Sequence, residues 1–112
     1  MGLAFSFTAS NGKTYDFHAY PKEGQWKAVA GVYAFGVRLV SGAWRPDYVG
    51  QTDDFSKRLP SHERWQEARR RGSYEVAATM ISSQAERDLV ERELIHRIKP
   101  PMNDHFKGSS WR

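Results

Sequence analysis

The chain has 112 residues, 17 Lys and Arg against 13 Asp and Glu, a formal net charge of +4 and no cysteine. This length predicts one domain over residues 1–112 with a single modest core. The lack of cysteine excludes disulfides and thiolate metal sites, so any metal must be held by oxygen or nitrogen ligands. No apolar run has membrane-spanning length, and residues 1–6 lack the pattern of a signal peptide, so a cytoplasmic protein without a membrane partner is expected.

The first predicted element is a β-hairpin over residues 3–20. Aromatic residues alternate with polar ones in two short runs, at Phe5, Phe7, Tyr15 and Phe17. The dipeptide Asn11-Gly12 between the runs readily adopts the positive φ that a tight hairpin turn requires. No motif assigns a function to this hairpin, which we interpret as an N-terminal extension.

Three further strands are predicted from apolar and β-branched runs. Residues 29–39 read as a central strand, and Ser41-Gly42 forms a turn into a return strand around residues 47–49. A third run, over residues 74–81, is rich in residues that favour strands. We expect all three to belong to one sheet.

Two short helices are predicted between the return strand and the last strand. Asp53 or Asp54 can cap the first, and residues 63–71 form the second, which Gly72 ends. Pro60 lies between them and should divide or kink this region, because it lacks an amide donor.

A long helix is predicted after residue 83. Residues 83–86 have the form of a capping box, and the helix ends before Pro100-Pro101. Residues 104–112 contain few apolar groups and are expected to form a loose tail. The order ββ–ββ–α(α)–β–α predicts an α+β fold, in which helices flank a small central antiparallel or mixed β-sheet.

Basic residues are concentrated in one stretch. Residues 51–72 hold six basic against four acidic side chains and end in the run Arg69-Arg70-Arg71. A local basic excess suits a polyanionic partner such as nucleic acid. A solvated helix end, where the helix dipole favours cations, explains the arginine run equally well.

Glu91 is the most informative single position. Three, four and seven residues further along its helix stand Leu94, Ile95 and Ile98. Glu91 therefore shares their face, which should be buried, and a carboxylate there is costly unless it is paired or holds a cation. The structural alternative to a metal site is a salt bridge to Arg58 or Arg87.

Four other side chains have the chemistry of a phosphodiesterase site. Arg58 offers a planar guanidinium for a phosphate, and His62 can transfer a proton near neutral pH. They lie on one side if the chain is helical through Pro60. Tyr33 and Tyr48 lie in adjacent predicted strands and can act as bases only if nearby cations lower a pKa that is normally ~10. Each residue alone also fits a packing or surface role.

Together these positions resemble the GIY-YIG nuclease family. Two strand motifs carry the resemblance, Gly31-Val32-Tyr33 and Tyr48-Val49-Gly50. Arg58 follows the second tyrosine by ten residues, as in the family, and His62 stands four residues further on, as in some members. The late helix reads Glu91-Arg92-Glu93-Leu94-Ile95 and is followed by Pro100 and Asn103, similar to the family's Glu-x-x-Leu-Ile, Pro and Asn. The resemblance covers residues 30–103, with several short motifs in order.

The chain departs from the family pattern at three places. Fourteen residues separate Tyr33 from Tyr48, which is longer than usual, and Pro60 interrupts the region that carries Arg58. Gln51 stands where several members have a lysine that lowers the pKa of the phenol.

The resemblance implies a metal-dependent endonuclease with one Mg²⁺ or Mn²⁺ bound by Glu91. Tyr33, as a phenolate, would take a proton from the attacking water, with His62 and Tyr48 near it to orient or relay. Arg58 would stabilise charge on the phosphate. Asn103 would hold the helix end and a phosphate.

The expected partner is nucleic acid, in the first place DNA. The basic residues expected to contact it are Lys57, Arg58, Arg69, Arg70 and Arg71. Two alternatives stay open from the residues alone. One is a nucleic-acid-binding module of the same type without turnover, and the other is an ordinary basic α+β interaction domain, which makes no demand on the position of Glu91.

Overall fold

The computed structural model describes residues 2–103, which form five strands and three helices. In chain order they are β1 (Leu3–Thr8), β2 (Thr14–Pro21), β3 (Gly31–Arg38), β4 (Trp44–Thr52), α1 (Phe55–Arg58), α2 (Trp65–Arg70), β5 (Glu75–Met80) and α3 (Gln84–Ile98). The α+β fold predicted from the sequence is confirmed. The tail expected over residues 104–112 lies outside the described residues.

The five strands form one sheet in the order β1-β2-β5-β3-β4, and every pairing is antiparallel. β5 lies between the two hairpins. It pairs with β2 through His18 and Ala78, and with β3 through Tyr33 and the same Ala78. The N-terminal hairpin is therefore continuous with the rest of the sheet.

Each face of the sheet is covered by helices over its own hydrophobic cluster. β3 contributes to both clusters, because successive side chains of a strand point to opposite faces. Val32 and Ala34 pack with Leu94 of α3. On the other face, Tyr33 and Phe35 belong to the cluster that α1 and α2 complete with Phe55, Leu59, Trp65 and Ala68. The candidate tyrosines are thus part of the core under the short helices.

The helix boundaries agree with the predicted caps and with the predicted break at Pro60. Ser83 caps α3 and its hydroxyl accepts a hydrogen bond from the Glu86 amide at 3.2 Å, as the capping box predicts. The chain is not helical through Pro60, since α1 already ends at Arg58. His62 therefore lies in the connection to α2, and the predicted division of this region at Pro60 is confirmed. Within residues 2–103, no helix is long and apolar enough to cross a membrane.

Candidate active site

The β3–β4 hairpin brings the two motif tyrosines together. Tyr33 pairs with Gly50 across the hairpin, while Phe35 pairs with Tyr48, and the two phenol rings are 6.4 Å apart. The Tyr33 ring extends over Gly50, where an added Cβ would lie 2.6 Å from the phenol oxygen. Gly50 is therefore needed because any side chain would displace the Tyr33 hydroxyl.

His62 is buried and holds the Tyr33 hydroxyl. Its Nε2 lies 2.8 Å from the Tyr33 oxygen, and its Nδ1 accepts a hydrogen bond from the Arg64 amide at 3.0 Å. Because an amide N–H can only donate, Nδ1 carries no proton, and Nε2–H must donate to the phenol oxygen. Burial, followed by the neighbouring Arg58 charge, lowers the pKa of His62 to about 4. His62 is therefore a neutral donor at pH 7, and it orients Tyr33 rather than relaying protons.

Arg58 lies beside the same phenol. Its guanidinium forms a paired contact with the Glu63 carboxylate, at 2.7 and 2.9 Å. This contact raises the pKa of Arg58 and lowers that of Glu63 to about 2. Arg58 is thus a permanent cation whose exposed acidic partner can be exchanged for another anion.

The electrostatics keep both phenols protonated in the protein alone. Burial, with a smaller contribution from Tyr48, raises the pKa of Tyr33, and the Arg58 charge opposes this. Burial also raises the pKa of Tyr48, against the Arg64 guanidinium that lies 5.4 Å from its ring centre. Ionisation of Tyr33 therefore requires more positive charge than these residues supply.

Glu91 lies on α3, which packs on the face of the sheet opposite the Tyr33 ring, and it has no cationic partner among residues 2–103. Burial is the main cause of the raised pKa of Tyr33 and of Tyr48, and the Glu91 charge adds to the rise in both. It is half-buried, and one carboxylate oxygen accepts a hydrogen bond from the Gln51 amide at 3.0 Å. None of the ion pairs formed within residues 2–103 includes Glu91. Arg87, one of the suggested partners, instead donates to the carbonyls of Ile81 and Ser82. The structure therefore does not contain the salt bridge that was the alternative for Glu91. Burial is the main cause of the raised pKa of the Glu91 carboxyl.

Gln51 organises the carboxylates around this position. Its amide nitrogen also donates to Asp88 at 2.6 Å, and its oxygen accepts from the Arg87 side chain at 3.1 Å. Asp88 precedes Glu91 by three residues, so both lie on one side of α3. A neutral amide thus holds two carboxylates where the resemblance leads one to expect a lysine.

A divalent ion fits Glu91 on chemical grounds. Mg²⁺ is commonly held by one or two carboxylates, with waters and substrate phosphates completing its coordination. A half-buried carboxylate without a countercharge gains from a bound cation, because the cation compensates its lost hydration. No group of three or more His, Asp or Glu side chains within residues 2–103 is arranged to enclose a metal, so only an open site of this kind is available there.

Asn103 has a structural position. It is 2 % exposed, and its amide accepts from the Val49 N–H at 2.8 Å and donates to the Val49 carbonyl at 2.9 Å. Both functions of the side chain are therefore used on the backbone of β4, next to Gly50. Asn103 therefore ties the segment after α3 to the edge strand β4, while the end of α3 is capped by Lys99. A contact of Asn103 with a phosphate stays a prediction.

The predicted basic residues separate into two groups. A groove of about 680 Å³ beside the site is lined by Lys22, His62, Trp65, Arg69, Arg70 and Tyr74, among others. Arg71 is not part of this lining; it caps α2, and its carbonyl accepts a hydrogen bond from Arg45 at 2.7 Å. The helix-end alternative therefore applies to Arg71. Lys57 is exposed on α1, next to Arg58.

Two neighbours of the candidate site residues were not predicted from the sequence. Glu63 binds Arg58, and Arg64 both fixes His62 through its amide and covers the Tyr48 ring. The sequence could have suggested the pairing of Glu63, because Glu63 is an acidic residue that directly follows His62 in a basic stretch. Nothing in the sequence marked the Arg64 backbone amide, because every residue except proline carries one.

Comparisons with known proteins add nothing to this picture. No family model, no curated protein and no solved structure matches the chain. The resemblance to GIY-YIG nucleases therefore stays a prediction from the motifs, and the functional interpretation depends on the geometry of the residues themselves.

Proposed function

We propose that the protein is a metal-dependent endonuclease that hydrolyses phosphodiester bonds in nucleic acid, with DNA as the expected substrate. The observation that carries this proposal is the buried contact of His62 with the Tyr33 hydroxyl, beside Arg58 and near a Glu91 that lacks a cation. A structural core gains nothing from leaving a half-buried carboxylate unpaired. A phosphodiesterase needs a base, a guanidinium and a carboxylate for a metal in one place.

Tyr33 is the proposed base. Its oxygen accepts from His62, so its own hydrogen is free to point towards the site. The hydrogen bond that His62 donates to this oxygen and the adjacent Arg58 charge both favour the phenolate over the phenol. The divalent ion that Glu91 would hold would supply positive charge beside the scissile phosphate. Tyr33, after passing its own proton to solvent, would accept the proton of the attacking water while the bond between phosphorus and the departing oxygen breaks.

Arg58 is the proposed phosphate clamp. In the free protein its two terminal nitrogens are held by Glu63, a mostly exposed carboxylate. A phosphodiester offers the same paired oxygen geometry and the same single negative charge, so it can replace Glu63 without movement of the guanidinium. Tyr48, whose hydroxyl stays protonated, is suited to donate a hydrogen bond to a phosphate oxygen or to the water.

The basic side chains that support nucleic-acid binding are Lys57, Arg58, Arg69 and Arg70. Arg69 and Arg70 line the groove that also contains His62, so a bound strand would run from them to the site. Phosphate contacts of this kind release counterions, and affinity should therefore fall steeply as salt is raised.

A cleavage panel tests the proposal. Plasmid, branched DNA, single-stranded DNA and RNA are incubated with the protein and Mg²⁺ or Mn²⁺, beside Glu91→Gln and Glu91→Ala. Each variant should lose at least about 10²-fold in cleavage rate, because the carboxylate is the proposed metal ligand. Nucleic-acid binding without metal should stay intact or tighten, since a negative charge near the phosphate is removed.

The matched control is Glu93→Gln on the same helix. Glu93 accepts a hydrogen bond from the Ser10 amide, so its loss affects the hairpin contact and not the site. Thermal melting of each variant separates lost stability from lost chemistry. Folded Glu91→Gln protein that cuts as fast as wild type would overturn the assignment.

A second candidate is a nucleic-acid-binding module without turnover. It is favoured by Gln51, which supplies no positive charge to the phenols, and by the raised pKa of Tyr33. The same panel decides between the two, because this module would bind nucleic acid and leave every substrate intact at all metal concentrations.

A further inference from the structure

The groove beside the candidate site combines aromatic rings with cations. Tyr74 is 55 % exposed, and the Arg69 guanidinium lies 5.4 Å from its ring centre. Lys22 lies 5.8 Å from the Trp65 ring, and Arg70 completes the lining. The acidic member of the groove, Glu63, is already paired with Arg58, so the remaining charge of the groove is positive.

The exposed Tyr74 ring stands on rigid backbone. Its amide donates to the Gly36 carbonyl at 3.0 Å, so it is tied to β3. The preceding residue, Ser73, is fully buried and donates from its hydroxyl to Asp47 at 2.7 Å. A ring held in this way binds a flat partner at a low cost in conformational entropy.

Exposed aromatic rings between cationic side chains are typical of surfaces that bind single-stranded nucleic acid. Proteins that bind single strands place the phosphates on basic side chains and stack the bases on aromatic ones. In a duplex the faces of the bases are covered by their neighbours, so only an unpaired base can stack on a protein ring.

We propose that this groove binds an unpaired segment of the substrate strand, with one base stacked on Tyr74 and its phosphates on Lys22, Arg69 and Arg70. The inference rests on the proposed nuclease function and narrows its substrate to nucleic acid that is single-stranded or locally unpaired beside the cut. His62 lies in the same groove, and it links the stacked base to the site at Tyr33.

Binding without cleavage tests the inference. Fluorescence anisotropy is measured in EDTA with a short labelled oligothymidylate, a duplex of the same length, and a strand in which abasic sugars replace the bases. Wild type should bind the oligothymidylate more tightly than the duplex. Tyr74→Ala should weaken oligothymidylate binding by about tenfold and leave abasic-strand binding unchanged, because only a base can stack.

Two further variants control for other causes. Tyr74→Phe keeps the ring and should bind like wild type. Tyr20→Ala removes another exposed tyrosine, which packs against Trp26 outside this groove, and should have no effect. Thermal melting confirms that each variant is folded.

The outcomes separate this inference from the proposed function. An equal loss on the oligothymidylate and abasic strands, or no loss on either, would overturn the stacking role of Tyr74. A wild-type preference for duplex would overturn the unpaired substrate class alone. Wild-type protein that binds none of the three ligands would overturn the proposed function itself.

Discussion

Helix α3 carries glutamates on two sides of the molecule, and their surroundings are opposite. Towards the N-terminal hairpin, Glu86 accepts from the Tyr15 hydroxyl and Glu93 from Ser10, and these hydrogen bonds lower the pKa of both carboxyls. Towards the site, burial raises the pKa of Glu91. Glu86 and Glu93 are held by donors that favour their charged form, whereas Glu91 has a neutral amide as partner and no countercharge among the described residues.

The same contrast holds for two buried tyrosines. The Tyr15 hydroxyl donates to a carboxylate, Glu86, and so completes a contact between the hairpin and α3. The Tyr33 oxygen instead accepts from His62 and lies beside Arg58. At Tyr15, burial and the Glu86 carboxylate both raise the pKa of the phenol, whereas at Tyr33 the Arg58 charge opposes the rise in pKa that burial causes.

The largest effect on the cleavage rate is expected when the hydroxyl groups of Tyr33 and Tyr15 are removed one at a time. Tyr33→Phe should lower the cleavage rate by about 10²–10⁴-fold, the usual contribution of a general base, with little change in nucleic-acid affinity. Tyr15→Phe should leave cleavage unchanged in folded protein and lower the melting temperature, because Glu86 loses its donor. Single-turnover cleavage and thermal melting of both variants measure the difference.

If both variants melt at a lower temperature but cleave at the wild-type rate, the two tyrosines have the same structural role. The proposed difference between the hairpin and the site would then be wrong. If Tyr15→Phe loses cleavage as strongly as Tyr33→Phe, the hairpin takes part in the reaction.

The next effect concerns the glycine that admits the Tyr33 hydroxyl. Gly50→Ala should lower cleavage by about 10²-fold, the effect expected when a catalytic group is displaced by about 1 Å. Gly36→Ala is the matched control, because its Cβ would lie 2.3 Å from the Arg45 carbonyl, equally tight but away from Tyr33. It should lower the melting temperature without changing the rate of the folded fraction. Equal loss of rate in the two variants would mean that Gly50 serves only packing.

The elements of the fold were largely predictable from local signals. The Asn11-Gly12 turn is confirmed, with Gly12 at φ +85, and Ser83 caps α3 as its box predicts. The pairing of β2 with β5 was not predictable. It joins strands more than fifty residues apart, and no sequence pattern in either strand identifies the strand with which it pairs.

The candidate site likewise contains features that the sequence could predict and features that it could not. The inward direction of Glu91 follows from helical periodicity, and the approach of Tyr33 to Tyr48 follows from hairpin pairing. The contact of Arg58 with Glu63 and the burial of His62 depend on how an irregular connection folds after Pro60, which no periodicity describes. The spacing of residues therefore predicted the contact of Tyr33 with Tyr48 and the half-buried position of Glu91, but not the hydrogen-bond partners or the charge states of these groups.

A pH series should separate His62 from the rest of the molecule. Its folded pKa of about 4 is below the ordinary value of 6.5, so the unfolded chain binds more protons in that interval. Stability that is present above 6.5 is therefore lost as pH falls towards 4. Glu91, with a raised pKa, contributes in the opposite direction. Wild type should melt at a lower temperature at about pH 5 than at about pH 7, and His62→Gln should show a smaller difference.

The control for this series is His18→Gln, which removes an exposed histidine of β2 and shows how much of any change comes from losing an imidazole in general. A His62→Gln protein with the full wild-type dependence would show that His62 is not the group that titrates, and that its neutral state is not what holds Tyr33.

The smallest expected effect is a gain in affinity from releasing Arg58. Glu63→Gln removes the anion that occupies the guanidinium, so nucleic acid should bind more tightly, by less than about fivefold, because exposed ion pairs are weak. Glu67→Gln is the matched control, since it removes the same charge from the same segment but leaves Arg58 and Glu63 paired. Anisotropy titrations at several salt concentrations measure both. If the two variants gain equally, the effect is one of overall charge, and Glu63 does not compete with phosphate for Arg58. A gain confined to Glu63→Gln would identify the guanidinium as the place where substrate replaces a protein carboxylate.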